Sequence, residues 1–169
     1  MKLYDIYRSN IKTGDLFFTA STAFFSKIIR LVTKSEVSHV GIFIWLEDRL
    51  FIIESVEWKG VVLMPARQRL EAEKFFYWGK IFHKMSFDEI KRRVFHNEKD
   101  NQYFPPKIWS KYDLSGALLS KFFDTKTSKS YCSEYVTKAL SLKLNGLNRG
   151  TFPSDLALLC ANNYLKINF

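Results

Sequence analysis

The feature that most restricts the fold of this chain is a pair of apolar runs separated by two acidic residues. Residues 38–46 and 50–56 are dominated by Ile, Val, Leu, Phe and Trp, and Glu47 and Asp48 lie between them. Runs this apolar and this rich in β-branched side chains are typical of strands buried on both faces. A short polar connection between two such runs predicts an antiparallel hairpin.

The register of that hairpin places a histidine and a carboxylate on the same sheet face. With the two acidic residues in the turn, Gly41 faces Glu54. His39 then lies diagonal to Glu54, at a Cβ separation of roughly 7 Å, whereas a one-residue slip would send Glu54 to the opposite face. Buried carboxylates and imidazoles need partners, so we expect these two side chains to make contact. Gly41 leaves space beside the histidine, although close strand packing explains a glycine there equally well.

A cysteine lies where a helix is predicted to begin. Apolar residues recur at spacings of three and four between residues 131 and 144, and Ser130 is a candidate N-cap. Cys132 would then lie in the first turn, where free backbone N–H groups and the positive end of the helix dipole favour a thiolate. That environment suits a nucleophile. The alternative is a small apolar core residue, which is the usual role of a free cysteine.

The remaining patterns predict an α+β fold, with strands grouped in the first half of the chain and helices in the second. The sheet is expected to be a meander of mostly antiparallel strands, and residues 1–169 are expected to form a single domain. Further strands are predicted at 16–19, 61–64, 75–82 and 165–169, and helices at 21–34, 86–98, 114–123 and 153–161; residues 65–73 are predicted to be helical or irregular and 99–110 to form a loop.

The charge balance favours an anionic partner without identifying it. Lys and Arg total 26 against 17 Asp and Glu, which leaves a net charge of +9. The basic residues, Arg69 among them, form no block and are interpreted as a solvated surface. The helix predicted at 21–34 is amphipathic, basic and rich in Phe. Such a helix usually covers a core, but an anionic membrane surface is a candidate partner for it.

Two cysteines in a chain of this size do not make a disulfide framework, which favours a reducing compartment. The N-terminus lacks a signal-peptide pattern, and the longest apolar run is far too short to span a bilayer, so a cytoplasmic protein is expected, with peripheral membrane attachment as an alternative. No paired Cys or His spacing indicates a metal site, and no motif indicates a cofactor or nucleic acid. Cys160 continues an apolar helical face and is interpreted as core, His96 as a solvated helical residue and His83 as the end of a strand.

Several short motifs together resemble one family. They begin with Gly14-Asp15-Leu16 and continue with residues 38–42 around His39, residues 53–55 around Glu54, Tyr112-Asp113 and residues 131–134 around Cys132. In this order they resemble the circularly permuted papain-like amidases of the NlpC superfamily, in particular the branch that includes YiiX and YaeF. The late position of the cysteine is the mark of the permutation.

The resemblance implies a fold and a set of roles. The fold would be a permuted papain-like, NlpC-type domain with a mostly antiparallel sheet packed against helices. Cys132 would be the nucleophile, His39 the base and then the acid, and Glu54 the residue that orients His39. Tyr112 would lie near the substrate, and the backbone N–H of Cys132 would contribute to an oxyanion hole. Residues 64–110 match no motif of the family.

These observations lead to three hypotheses. The first is a cysteine hydrolase acting on an amide bond of a peptide or of a cell-wall type, through an acyl-enzyme. The second keeps the same Cys, His and Glu residues but acts on lipid acyl groups, as a hydrolase or an acyltransferase. The third is a basic binding module without catalysis. The sequence leaves the substrate and the oligomeric state open.

Overall fold

A computed structural model describes residues 3–20, 24–56, 60–71, 73, 75–81, 85–97, 102–103, 132–142, 151–160 and 164–168. Tyr112, Ser130, His83 and the helix predicted at 114–123 lie outside these residues, so the expectations for them stay predictions, as does the single domain. The helices are α1 Leu3–Tyr7, α2 Phe24–Thr33, α3 Ala66–Glu71, α4 Phe87–Phe95, α5 Cys132–Ala139 and α6 Pro153–Leu159, and a 3-10 turn covers Arg8–Asn10. The strands are β1 Leu16–Thr19, β2 His39–Leu46, β3 Arg49–Val56, β4 Gly60–Pro65, β5 Phe75–Gly79, β6 His96–Asn97, β7 Gln102–Tyr103 and β8 Tyr164–Asn168.

A six-stranded sheet in the order β4-β3-β2-β1-β5-β8 forms the centre of the molecule, and every strand pair in it is antiparallel. The β2–β3 hairpin has the register that the sequence predicted. Leu46 pairs with Arg49 across the turn, and Gly41 pairs with Glu54. The backbone of Glu47 has a positive φ of 54°, which a tight two-residue connection requires.

The order of the strands differs from the predicted meander at one point. β1 to β4 are consecutive neighbours, but β5 pairs with β1 on its other side instead of extending the sheet beyond β4. α3 follows β4 directly and packs against β3 and β4, so the chain leaves that edge of the sheet before β5 begins. β1 thereby becomes an interior strand, and all four of its residues are buried.

The helical position predicted for His96 was wrong. The helix predicted to run to residue 98 ends at Phe95, and His96 instead begins β6, which pairs with β7. β7 lies inside the loop predicted at 99–110. The end of the predicted helix contains Val94, Phe95 and His96, whose helix propensity is modest, and β-branched and aromatic side chains are favoured in strands.

The sheet lies between two hydrophobic clusters, because successive strand residues point to opposite faces. The first cluster contains Leu16, Val40 and Ile42 from the sheet and buried residues of α4, α5 and α6. The second contains Phe17 and Phe43 from the opposite face, together with buried residues of α3. By the same alternation, the residues at positions 39, 41 and 54 lie on the face of the second cluster.

α2 carries both buried and exposed residues on its described part. Ile29 is buried, whereas the side chain of Leu31 is 79% exposed, and Lys27, about one helical turn before it, is also exposed. In the described part of the chain, no helix combines the length and the apolar character needed to cross a bilayer.

Candidate active site

His39 and Glu54 make the contact that the hairpin register predicted. His39 Nε2 and Glu54 Oε2 are 2.7 Å apart, and Glu54 is only 1% exposed. The His39 ring also packs edge-on against Phe17, with 6.3 Å between ring centroids. A carboxylate that holds one imidazole nitrogen fixes the orientation of the ring.

Glu54 has a second partner that the sequence did not reveal. Arg69 Nε donates a hydrogen bond to Glu54 Oε1 at 2.6 Å, and Arg69 Nη1 donates one to Glu73 Oε1 at 2.8 Å. The guanidinium lies over the Phe17 ring, 5.0 Å from its centroid. The interpretation of Arg69 as a solvated surface residue was therefore wrong: its side chain is 17% exposed. The signal was available in part, since a buried carboxylate has two oxygens and His39 satisfies only one.

Cys132 is the first residue of α5 and is 2% exposed. Its thiol hydrogen-bonds the His39 ring and accepts from the backbone N–H groups of Val40 and Ser133. Because Glu54 occupies Nε2 of His39, Nδ1 is the ring nitrogen left for the sulfur. The predicted position of Cys132 at a helix start is confirmed.

The three side chains form one electrostatically coupled group. Burial alone would raise the pKa of Cys132, but attraction to His39 and the hydrogen bonds from His39 and the backbone lower it. Burial alone would lower the pKa of His39, but Cys132 and Glu54 raise it from 6.5 to about 10. Burial alone would raise the pKa of Glu54, but His39 and Arg69 lower it from 4.5 to about 2. The arrangement therefore favours a thiolate, an imidazolium and a carboxylate at neutral pH.

The site joins the two faces of the sheet. Cys132 belongs to the first hydrophobic cluster, on the side of α5. His39 and Glu54 lie on the face of the second cluster, where α3 supplies Arg69. His39 is the first residue of β2, so its ring reaches the thiol past the end of the strand and not through the sheet. Gly41 is required beside this site, because a Cβ on it would lie 2.9 Å from the carbonyl oxygen of Ile53 and 3.0 Å from Glu54 Cβ.

Cys160 lies apart from this group and has a different environment. It is 1% exposed at the end of α6 and belongs to the first cluster, which confirms its interpretation as core. Both cysteines are free. Burial and the nearby Asp15 carboxylate raise the pKa of Cys160 to about 12. Cys160 is therefore a poor nucleophile at neutral pH.

The comparisons with known proteins identify a related fold. No family model matches the chain, and no curated protein matches it in sequence. Among solved structures, the metalloprotein yiiX from Escherichia coli O157:H7, described as DUF1105, is similar over 81% of this chain and 68% of its own, with a TM-score of 0.59 and 22% sequence identity. The chain therefore has the α+β fold that the sequence patterns predicted and the papain-like fold that the family resemblance implied, with the cysteine-bearing helix after the main strands.

Proposed function

We propose that this protein is a cysteine hydrolase that cleaves an amide bond, of a peptide or of a cell-wall type, through an acyl-enzyme on Cys132. The observation that carries the proposal is the continuous chain of contacts from the Cys132 thiol through His39 to Glu54. A nucleophile, a base and a group that orients the base are the three parts that covalent acyl transfer needs. The similarity of the fold to yiiX supports membership of the YiiX-like branch of the NlpC superfamily.

The reaction follows from the charges of these groups. The Cys132 thiolate attacks the carbonyl carbon and forms a tetrahedral oxyanion. The backbone N–H of Cys132, in the first turn of α5, is positioned to stabilise the oxyanion, because the first N–H groups of a helix point towards its free end. His39 then donates its proton to the leaving nitrogen, the C–N bond breaks, and a thioester remains on Cys132.

Hydrolysis of the thioester reverses these roles. The neutral His39 accepts a proton from water, the resulting hydroxide attacks the thioester carbon, and the C–S bond breaks to release the acid. Glu54 keeps its charge in both steps and holds His39 Nε2 throughout. Tyr112, outside the described residues, is proposed to contact the substrate, on the family resemblance alone.

The description of yiiX as a metalloprotein raises the question of whether this chain holds a metal ion. Among the residues that the structure describes, no three His, Cys, Asp or Glu side chains form a group able to hold one. Both Glu54 oxygens are occupied, by His39 and Arg69, so only the Cys132 sulfur and one His39 nitrogen remain as donors. Metal sites of this kind use three or four protein ligands, so the described residues do not fit a metal and no step is derived through one.

A second candidate substrate is a lipid acyl group, cleaved or transferred by the same three residues. The exposed Leu31 on α2, close in sequence to the exposed Lys27, favours contact with an anionic membrane surface. In this case the thioester carries a fatty acyl chain. The transfer of that chain to an alcohol or amine replaces hydrolysis if the acceptor excludes water.

The test is a search for the acyl-enzyme. The protein is incubated with a panel of peptide amides, cell-wall-type peptides and phospholipids in anionic vesicles, and the mass of the Cys132 peptide is measured after an acid quench. We expect an acyl adduct on Cys132 and turnover that falls by at least about 1000-fold in Cys132→Ala. The chemical nature of the adduct separates the amide substrate from the lipid substrate. Cys160→Ala is the control and retains the adduct.

Two results would contradict the proposal. One is turnover that survives Cys132→Ala, which would place the chemistry elsewhere. The other is the absence of both an adduct and turnover across the whole panel. Salt-sensitive nucleic-acid binding that is unaffected by Cys132→Ala would then support the basic binding module.

A further inference from the structure

Arg69 makes contacts that a surface arginine does not need. It is bound to two carboxylates, Glu54 at 2.6 Å and Glu73 at 2.8 Å. The Phe17 ring lies under the guanidinium and also touches the ring of His39. The guanidinium is therefore held by Glu54, by Glu73 and by the Phe17 ring of the second cluster. Such fixation specifies where the Glu54 carboxylate lies.

The contacts of Arg69 also compensate part of the negative charge of Glu54. The charged groups that face Arg69 are Glu54 on β3 and Glu73 after α3, with His39 on the far side of Glu54. Glu54 is shared between one full cation and His39, so the carboxylate acts on His39 with part of its charge compensated. Without Arg69, the uncompensated carboxylate would hold the proton of His39 more strongly.

We propose that Arg69 is a positioning residue of the Cys132 site: it anchors Glu54 against His39 and balances the Glu54 charge, and so keeps the His39 proton transferable. This inference rests on the proposed function for its meaning in catalysis, since a general acid must both hold and release its proton. It goes beyond the Cys, His and Glu residues, because it adds a fourth residue on an element, α3, that lies on the opposite side of the sheet from α5.

The test measures His39 directly, by NMR titration of its ring in full-length Cys132→Ala protein, with His39→Ala used to assign the signal. We expect Arg69→Met to raise the titration midpoint of His39 by about one pH unit, because a cation near the site is lost. Glu54→Gln should lower the midpoint by at least about one pH unit. Arg69→Lys, which keeps the charge, should leave it close to the parent value.

The matched control is Arg67→Met on the same helix. Arg67 is 60% exposed and pairs with Glu71 and Asp5 instead of Glu54, so its replacement should leave the midpoint unchanged. The whole proposal is overturned if Arg69→Met behaves like Arg67→Met. Its charge-balancing part is overturned if Arg69→Met lowers the midpoint as Glu54→Gln does, because the midpoint then reports only the loss of a correctly placed Glu54. If Arg69→Met does not fold, Glu73→Gln decides. Glu73→Gln leaves the whole Arg69 charge on Glu54 and should lower the titration midpoint of His39. An unchanged midpoint in this variant would overturn the proposal.

The outcome of this titration does not depend on whether the proposed function is correct. The Cys132→Ala background lacks the thiol of the site and forms no acyl-enzyme there, so the His39 midpoint reports only the Arg69–Glu54–His39 contacts. If the wild-type protein forms no acyl-enzyme, the proposed function falls while the role of Arg69 is still decided by the titration. If the acyl-enzyme forms and the midpoint does not move, Arg69 alone is excluded.

Discussion

The two cysteines of this protein are buried to the same extent and have opposite chemistry. Cys132 is 2% exposed and Cys160 is 1% exposed. The pKa of Cys132 is lowered by His39 and by backbone N–H groups, whereas that of Cys160 is raised to about 12 by burial next to Asp15. Cys132 opens a helix and Cys160 caps the end of one, so the helix dipoles act in the same directions as the charged partners. The comparison teaches that burial sets the sensitivity of a thiol to its neighbours, and the sign of the neighbouring charge then decides its reactivity.

The largest expected difference is in alkylation of the two thiols. At pH 6 we expect iodoacetamide to modify Cys132 about 1000-fold faster than Cys160, because only Cys132 is a thiolate there, even after allowance for the higher intrinsic nucleophilicity of the more basic thiol. Peptide mass spectrometry after timed quenching measures both rates in the same sample.

His39→Ala should remove this difference. Without the imidazolium, Cys132 keeps only its burial and its backbone donors, so its reactivity should appear only at alkaline pH, while Cys160 is unchanged. Equal rates for the two cysteines in the wild-type protein, or a fast Cys132 in His39→Ala, would show that the charge of His39 does not cause the contrast.

The next effect concerns the two carboxylates that accompany the cysteines. The pKa of Glu54 is lowered from 4.5 to about 2, so this group stabilises the fold above pH 4.5, and the contribution is lost as the pH falls towards 2. Above pH 4.5 the ionised Glu54 contributes about 3 kcal/mol to the free energy of unfolding. Glu54→Gln should therefore lower the free energy of unfolding at pH 6 and flatten its fall below pH 4.5, as measured by urea unfolding at a series of pH values.

Asp15 is the control, because its ionisation changes the free energy of unfolding in the opposite direction to that of Glu54. Burial raises its pKa above 3.8 in spite of hydrogen bonds from the Lys12 backbone N–H and Trp78 Nε1, so its ionisation costs stability as the pH rises. An asparagine at this position can still accept both bonds through its carbonyl oxygen. Asp15→Asn should therefore be as stable as the wild type at pH 6, or more stable. A loss of stability in Asp15→Asn as large as that in Glu54→Gln would break the comparison.

The smallest effect concerns the glycine beside each cysteine site. A Cβ on Gly79 would lie 2.7 Å from Cys160 Sγ, and one on Gly41 would lie 2.9 Å from the Ile53 carbonyl oxygen. We expect Gly79→Ala to cost about 1 to 2 kcal/mol of unfolding free energy through overpacking, without a change in Cys132 alkylation. Gly41→Ala should also slow that alkylation, because it displaces the strand that carries Glu54. Slower alkylation of Cys132 in Gly79→Ala would show that the two regions are coupled.

The parts of the site that are local in sequence could be predicted. The two-residue turn fixed the register of β2 and β3, and the register alone brought His39 next to Glu54. The apolar spacing after Cys132 was sufficient to place the cysteine at the start of α5. In each case the constraint acts over a few residues, where the strand and helix periods apply.

The parts that depend on packing across the sheet could not be predicted. Arg69 reaches Glu54 because α3 lies against β3, a placement that no periodicity within residues 65–73 encodes. The pairing of β5 with β1 likewise depends on the route of the chain after β4. The position of His39 at the very end of β2, where both faces are within reach, is a property of the assembled sheet and not of either strand.

The location of the site at a strand end also bears on how the protein folds. His39 and Glu54 are 15 positions apart and meet as soon as the hairpin closes. Cys132 comes much later in the chain, and its contact with His39 requires α5 to dock on a sheet that has already formed. Contacts between distant segments carry the larger entropic cost and form late. We therefore expect the acidity of the Cys132 thiol to appear only in the last stage of folding, so that an incompletely folded chain carries an inert cysteine.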